Sequence, residues 1–220
     1  MTSSEENYLK VIYHLSANSS KGVSTNAIAE MAKTKASSVT EMIKKLATKD
    51  LIYHEKYQGV TLTEQGINNA KTIVRRHRLW ETFLVDKLKI SWDEVHEIAE
   101  ELEHVKSEKL INHLDAFLNF PRFDPHGDPI PNPDGVIYDS QKILLSDADL
   151  NKKYICIGVK DTSSLFLQFL NNKKISIGTI IEIIERESYD NTLILKIEDT
   201  TIILSNKIAS NLYIKNIDSN

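Results

Sequence analysis

Apolar positions in the first fifty residues recur at helical spacing in three separate runs. Tyr8, Leu9, Ile12 and Leu15 mark the first. In STNAIAEMAK, Ile28, Ala29 and Ala32 form a small apolar face, and Ser24 stands where an N-cap is expected. After a short turn at residues 33–36, Val39, Met42, Ile43 and Leu46 make the stripe of an amphipathic helix, with Ser38 and Glu41 at capping-box spacing at its start. The period then shortens. LIYHEKYQGVTLT alternates as two short strands about a turn at residues 57–59. From Thr63 the helical period returns over TEQGINNAKTIVRRHRLWETFLVDKL, and a second long helix is predicted from about Trp92 to Leu118. Ile73, Leu79, Trp80, Phe83 and Leu84, with Val95, Ile98, Leu102, Leu110, Leu114 and Phe117, offer more apolar surface than two helices bury between themselves. A helical dimer interface is one outlet for the surplus.

The pattern breaks at FPRFDPHGDPIPNPDG, residues 120–135, which hold all five prolines of the chain. That stretch cannot be helical, and it reads as an ordered, extended linker. Beyond about Leu150 the runs KYICIGVK, TIIEIIERE, TLILKIE and TTIILS are β-like, interrupted by one short helix, SSLFLQFLNN. About five short strands in this tail suggest a small barrel. The resulting division is a winged helix-turn-helix over residues 1–72, a helical domain with its proline-rich linker over 73–140, and a β-barrel domain over 150–217.

Helix, turn, helix and hairpin is the order of a winged helix-turn-helix, in which the second helix is presented to a DNA major groove. Charge agrees: residues 1–76 carry eleven Lys/Arg against seven Asp/Glu, or +4, and the remainder carries sixteen against twenty-four, or −8, which together give the net −4. A basic first third on an acidic body fits a polyanion-binding module joined to something else. A small α+β domain or a protein-binding winged helix has the same element order. No run of eighteen apolar residues is present, and the N-terminus lacks the basic segment and apolar core of a secretory signal. The single cysteine, Cys156, allows no internal disulfide, fits a reducing cytoplasm and excludes a cysteine-rich zinc site.

The stretch HEIAEELEH, residues 96–104, concentrates metal-ligand side chains. At ~100° per residue, His96, Glu100, Glu103 and His104 share an arc of roughly 100°, beside the apolar arc of Val95, Ile98, Ala99, Leu102 and Val105. Glu97 and Glu101 turn further toward solvent. On the preceding helix His77 and Glu81 are one turn apart on one face. Imidazoles with carboxylates suit a divalent transition metal, and carboxylate oxygen favours harder ions such as Mn²⁺. A solvated acidic helix face has the same composition.

A winged helix followed by RHRLWETFL, VHEIAEELEHVKSE, DPHGDPIP and a β-rich tail resembles the diphtheria toxin repressor (DtxR/MntR) family of metal-dependent transcriptional regulators, in order along nearly the whole chain. The resemblance implies a multidomain α+β fold: an N-terminal winged helix-turn-helix, a helical dimerisation and metal-binding domain, and a C-terminal small β-barrel of the Src-homology-3-like, FeoA-like type. It implies two metal sites per subunit. His77, Glu81 and His96 match the ancillary site, and Glu100, Glu103 and His104 match the main site. Position 100 is cysteine in iron-type members and glutamate in manganese-type ones, so Glu100 leans toward Mn²⁺. Asn7 stands where the family supplies Met or Asp from the first helix, and Lys10 where manganese-type members have a glutamate. Ser163 and Phe166 take the places of iron-type ligands in the last domain, which would then add little to the metal site.

The function this implies is a cytoplasmic, dimeric repressor that binds operator DNA when loaded with Mn²⁺ or Fe²⁺ and controls metal-uptake genes. Lys35, Ser37, Ser38, Thr40 and Lys44 are the expected DNA-contact residues. Glu41 either accepts from a cytosine amine or closes the cap with Ser38. Lys44, Lys45 and Lys56 are phosphate candidates. Two rival functions fit the same residues less completely. A metal-dependent hydrolase would use the His/Glu cluster but has no evident nucleophile motif and no use for the winged helix. A metal-independent winged-helix adaptor would leave the cluster purely structural.

Overall fold

The computed structural model describes residues 1–17, 22–55, 59–138 and 141–217. These fall into two compact units, one of Met1–His77, Glu100–His113 and Pro131–Ile137, the other of Arg78–Ala99, Leu114–Ile130 and Tyr138–Asn220.

In the first unit, α1 (Ser3–Ser16) starts at a capping box: Glu5 N–H donates to the Thr2 hydroxyl, and Thr2 N–H donates to the Glu5 carboxylate. Helix α2 (Thr25–Met31) is capped by Ser24, as its sequence predicts. Helix α3 (Ala36–Thr48) buries the expected Val39, Ile43 and Leu46. It begins three residues earlier than a cap at Ser38 requires. Lys35 is the N-cap residue and gives no side-chain hydrogen bond, so the predicted Ser38/Glu41 capping box does not form. Ser38 instead lies in the first turn, and its hydroxyl is past the position from which a cap reaches the free N–H groups. Strands β1 (Ile52–Glu55) and β2 (Gly59–Leu62) pair antiparallel, Ile52 opposite Leu62 and Glu55 opposite Gly59, and Val23 bridges to Val60 on the other side. Helix α4 (Glu64–Asp86) starts against this hairpin. Leu9, Ile12, Ile28, Val39, Ile43, Leu46, Leu51, Val60, Ala70 and Ile73 form one core. This is a winged helix-turn-helix.

The second long helix of the sequence reading is two helices, α5 (Val95–Leu102) and α6 (Glu108–Phe117). The chain tightens after Leu102, where Val105 N–H donates to the Leu102 carbonyl. Ser107 then restarts a helix, its hydroxyl accepting from Leu110 N–H. A serine able to cap offers the backbone an alternative to continuing the first helix.

In the second unit, β3 (Ile143–Leu144), β4 (Lys153–Val159), α7 (Ser164–Asn172), β5 (Ile180–Arg186), β6 (Leu193–Ile197), β7 (Thr200–Leu204), α8 (Asn206–Ala209) and β8 (Leu212–Asn216) follow in order. The strands make a six-stranded sheet, β3-β8-β4-β5-β6-β7, antiparallel throughout. Register shifts at Cys156/Gly158 and Ile183/Glu185 are where the sheet coils. Tyr154, Cys156, Ile181, Ile183, Leu193, Leu195, Leu212 and Ile214 meet Phe166, Leu167 and Leu170 of α7 in its core.

Part of the proline-rich stretch belongs to this unit, and there it is a closed loop rather than an extended linker. Phe123 bridges to Pro129, Ile130 N–H donates to Arg122, and Asp124 N–H donates to Asp128. Gly127 sits at φ +83° against β4, where a Cβ would lie 2.0 Å from the Ile157 carbonyl oxygen, so only glycine fits.

Candidate metal centre and nucleic-acid face

In the first unit a charged cluster joins α1 to the turn after α5. Val95 and Ala99 are the buried positions of α5, and Glu103 continues their spacing into the turn. A carboxylate placed there is removed from water: Glu103 has no exposed surface. It is met by cations. Lys10 Nζ lies 2.8 and 2.6 Å from its two oxygens, and His77 Nδ1 lies 2.6 Å from Oε2. Burial pushes the Glu103 pKa up, but the hydrogen bond from His77 and the charge of Lys10 outweigh it, and the net shift is downward. Lys10 Nζ is also 3.5 Å from Glu100 Oε1. Beside this group Glu6 of α1, buried, faces three cationic or imidazole side chains: His104 Nδ1 at 2.7 Å, Arg76 at 3.4 Å and Lys106 at 3.5 Å.

The four residues placed on one arc by helical geometry therefore divide. Glu103 is buried and His104 mostly so, whereas the side chains of His96 and Glu100 are about half exposed, at 49% and 48%. Ile98, expected on the apolar side, is exposed. The α1 side chains at the cluster are Glu6 and Lys10; Asn7 is exposed on the same helix.

A second group lies within the other unit. Glu81, Asp124 and His126, all buried, each offer a ligand atom within 4.8 Å of the others. His126 Nδ1 is 3.6 Å from Glu81, its Nε2 donates to the Trp92 carbonyl at 2.8 Å, and its ring stacks on that of Trp92. Asp124 accepts from the N–H groups of His126 and Asp128 and faces Arg78 at 3.4 Å. Burial, then the charge of Glu81, raises the Asp124 pKa to about 7. Burial opposes the charge on His126, but the hydrogen bond and charge of Glu81 prevail and raise it to about 9. His96 Nδ1 is 3.3 Å from Glu81 on the same unit, and His77 stands one turn before Glu81 on α4. Sequence reasoning missed Asp124 and His126. The available signal was D-P-H-G-D-P itself, an Asp and a His two residues apart on a loop stiffened by prolines and a required glycine. Of the iron-type positions in the last domain, Ser163 is the exposed N-cap residue of α7 and Phe166 is buried in the core.

On α3, Lys35, Ser37, Ser38, Thr40, Glu41 and Lys44 are all exposed, opposite the buried Val39, Ile43 and Leu46. With the capping box unformed, Glu41 is left on this outer face. Thr40 returns its hydroxyl to the Ala36 carbonyl at 3.0 Å. Lys56 lies outside the described residues.

A winged helix carrying a His/carboxylate cluster against its first helix defines the class of metal-responsive DNA-binding regulators, and comparison with known proteins agrees. Residues 1–60 match the family model for the iron-dependent repressor N-terminal DNA-binding domain, 63–132 that for the iron-dependent repressor metal-binding and dimerisation domain, and 143–216 the FeoA domain. The chain belongs to the iron-dependent repressor family. It is 36% identical over 118 residues to an HTH-type transcriptional regulator of Methanocaldococcus jannaschii, covering 54% of this chain and 94% of that one. It is 31% identical over 153 residues to the HTH-type transcriptional regulator MntR of Oceanobacillus iheyensis, covering 69% and 96%. Among solved structures, a manganese-dependent transcriptional repressor in complex with manganese superposes with a TM-score of 0.86 at 35% identity, over 97% of this chain and all of that one. The chain is thus a transcriptional regulator carrying a DNA-binding and a dimerisation domain, not an enzyme. Among the described residues no helix is long and apolar enough to cross a membrane.

Proposed function

We propose that the chain is a cytoplasmic homodimeric repressor that binds operator DNA when loaded with Mn²⁺ or Fe²⁺ and controls metal-uptake genes. The observation that carries this is the buried carboxylate Glu103 in the turn after α5, held to α1 of the winged helix through Lys10, with Glu6 of α1 against His104 beside it. The donor set suits a divalent cation: carboxylate oxygens and imidazole, no thiolate, and a pocket that already attracts a positive charge.

When bound, the cation supplies a double positive charge on which carboxylates and imidazole from different segments converge. Glu100, Glu103 and His104 would hold it, and the α1 contribution comes from Asn7, or from Glu6, which is the α1 carboxylate nearest His104. Glu81 is the common carboxylate of a second site within its own unit, with His96 or with the buried Asp124 and His126. The buried trio is favoured because all three of its donors are already removed from water. Drawing α1 toward the turn after α5 fixes the helix that packs through Leu9 and Ile12 into the core under α3. The exposed face of α3, with Lys35, Ser37, Ser38, Thr40, Glu41 and Lys44, then meets the major groove, and Lys56 of the wing meets phosphate. A twofold dimer would read a near-palindromic operator. Metal acts as corepressor only if it favours the DNA-competent arrangement over others.

The test is fluorescence anisotropy with a duplex selected from a random pool in the presence of Mn²⁺, titrated with Mn²⁺ and with EDTA. Tight binding with Mn²⁺ and loss of it in EDTA is expected; equal affinity in both overturns the proposal.

A further inference from the structure

We propose that Lys10 is a tethered competitor for the principal metal site, a cation built into α1 that must be expelled before a divalent ion can be bound, and that therefore sets how much metal the protein requires. This rests on the proposed metal-regulated function.

The geometry is that of an occupied cation pocket. Lys10 Nζ contacts both oxygens of Glu103, at 2.6 and 2.8 Å, and reaches Glu100 Oε1 at 3.5 Å. The Lys10 side chain is 10% exposed and that of Glu103 is 0% exposed, so little water screens the pair. Carboxylate oxygens ligate a divalent transition metal at roughly 2.0–2.2 Å. The ammonium and such an ion would use the same oxygens, and two cations that close repel strongly in a site shielded from water. One must leave.

Lysine suits that role better than arginine. Arginine holds a carboxylate with a rigid planar fork, whereas the ammonium is a point charge on a flexible four-carbon stem that swings away without disturbing its helix. The helix itself is anchored independently by Leu9 and Ile12, which are fully buried. Glu100, half exposed, forms the open side by which an ion arrives. It is also the second carboxylate that Lys10 approaches, so Glu100 and Glu103 are screened by one side chain. Without Lys10, the buried Glu103 keeps, among the described residues, the contact with His77, and the pocket's appetite for a cation rises.

The experiment measures Mn²⁺ binding to the full chain by electron paramagnetic resonance of the free ion, for wild type, Lys10→Gln and Lys10→Arg, with circular dichroism as a check on folding. Lys10→Gln is expected to bind Mn²⁺ roughly tenfold to a hundredfold tighter, as removal of a buried charge partner implies. Lys10→Arg is expected to bind no tighter than wild type. Affinity of Lys10→Gln within twofold of wild type, or weaker, overturns the proposal while leaving the metal-regulated function standing. Absence of Mn²⁺ binding by wild type overturns both. A measurement on wild type keeps the idea testable if the variant does not fold. Acylation of Lys10 by an amine-reactive anhydride, followed by peptide mass spectrometry, should be at least severalfold faster in Mn²⁺ than in EDTA. Equal or slower labelling in Mn²⁺ overturns the displacement.

Discussion

Replacing Glu103 by Gln should destabilise the first unit by an amount the structure bounds. The substitution keeps shape and one acceptor oxygen but removes the charge that faces Lys10 at 2.6 Å and His77 at 2.6 Å. Removing one partner of a buried ion pair costs about 3–5 kcal/mol. Lys10 has a partial alternative in Glu100 at 3.5 Å, and its flexible stem lets it approach water, so about 2–3 kcal/mol is the expected net loss. At roughly 2–4 °C per kcal/mol for a chain of this size, the unfolding midpoint should fall by about 4–12 °C. The assay is thermal unfolding followed at 222 nm, where α1 to α6 dominate, in EDTA at pH 7.5. The sign of the pH dependence is a second check. The folded pKa of Glu103 lies below its usual value of 4.5. Its stabilisation is therefore present above pH 4.5 and is lost as pH falls through the lower folded value. Wild type and Glu103→Gln should converge in acid. A midpoint change below about 1 °C at pH 7.5, a magnitude typical of an exposed pair, or a gap that does not narrow on acidification, would refute the reasoning.

Three further outcomes follow from other parts of the molecule. Gly66→Ala would place a Cβ 1.9 Å from the Leu51 carbonyl oxygen, a backbone atom with no rotamer to yield; a loss of about 1–3 kcal/mol is expected from urea unfolding, and a neutral effect would show that the start of α4 is not pinned there. Asp124 has a folded pKa of about 7 against 3.8, so it costs stability as pH rises from about 4 to 7, and Asp124→Asn should gain on wild type between pH 5 and pH 8; a constant difference in melting temperature across that range counts against it. Lys44→Ala, on the exposed face of α3, should weaken binding to all duplexes alike and lower the slope of log affinity against log salt by about one; an effect confined to one sequence would make Lys44 a base reader instead.

What could be read from the sequence was whatever burial repeats along the chain. Val39, Ile43 and Leu46 announced α3 because a buried stripe leaves a period, and β4 to β7 did so through their β-branched runs. Breaks are decided by one or two local hydrogen bonds and leave no period. A cap at Ser38 therefore starts α3 three residues late, and the helical period runs straight through the turn between α5 and α6. Those breaks matter most at the metal cluster. A continuous helix gives His96, Glu100, Glu103 and His104 equal standing, but the buried stripe of α5 is Val95 and Ala99, and its next member is Glu103. Glu103 is thus buried by the same packing that buries two apolar residues before it, while His96 and Glu100, each one position further round, stay half in water. A carboxylate carried into the interior by an apolar stripe is costly unless cations meet it. The cation that does so is 93 residues away in sequence, on a helix whose own period places Glu6 and Lys10 one turn apart on its buried face. No local pattern in HEIAEELEH reveals that partner. Charge balance does: a buried Glu in this turn demands a buried cation, and α1 is the element of the winged helix that supplies one.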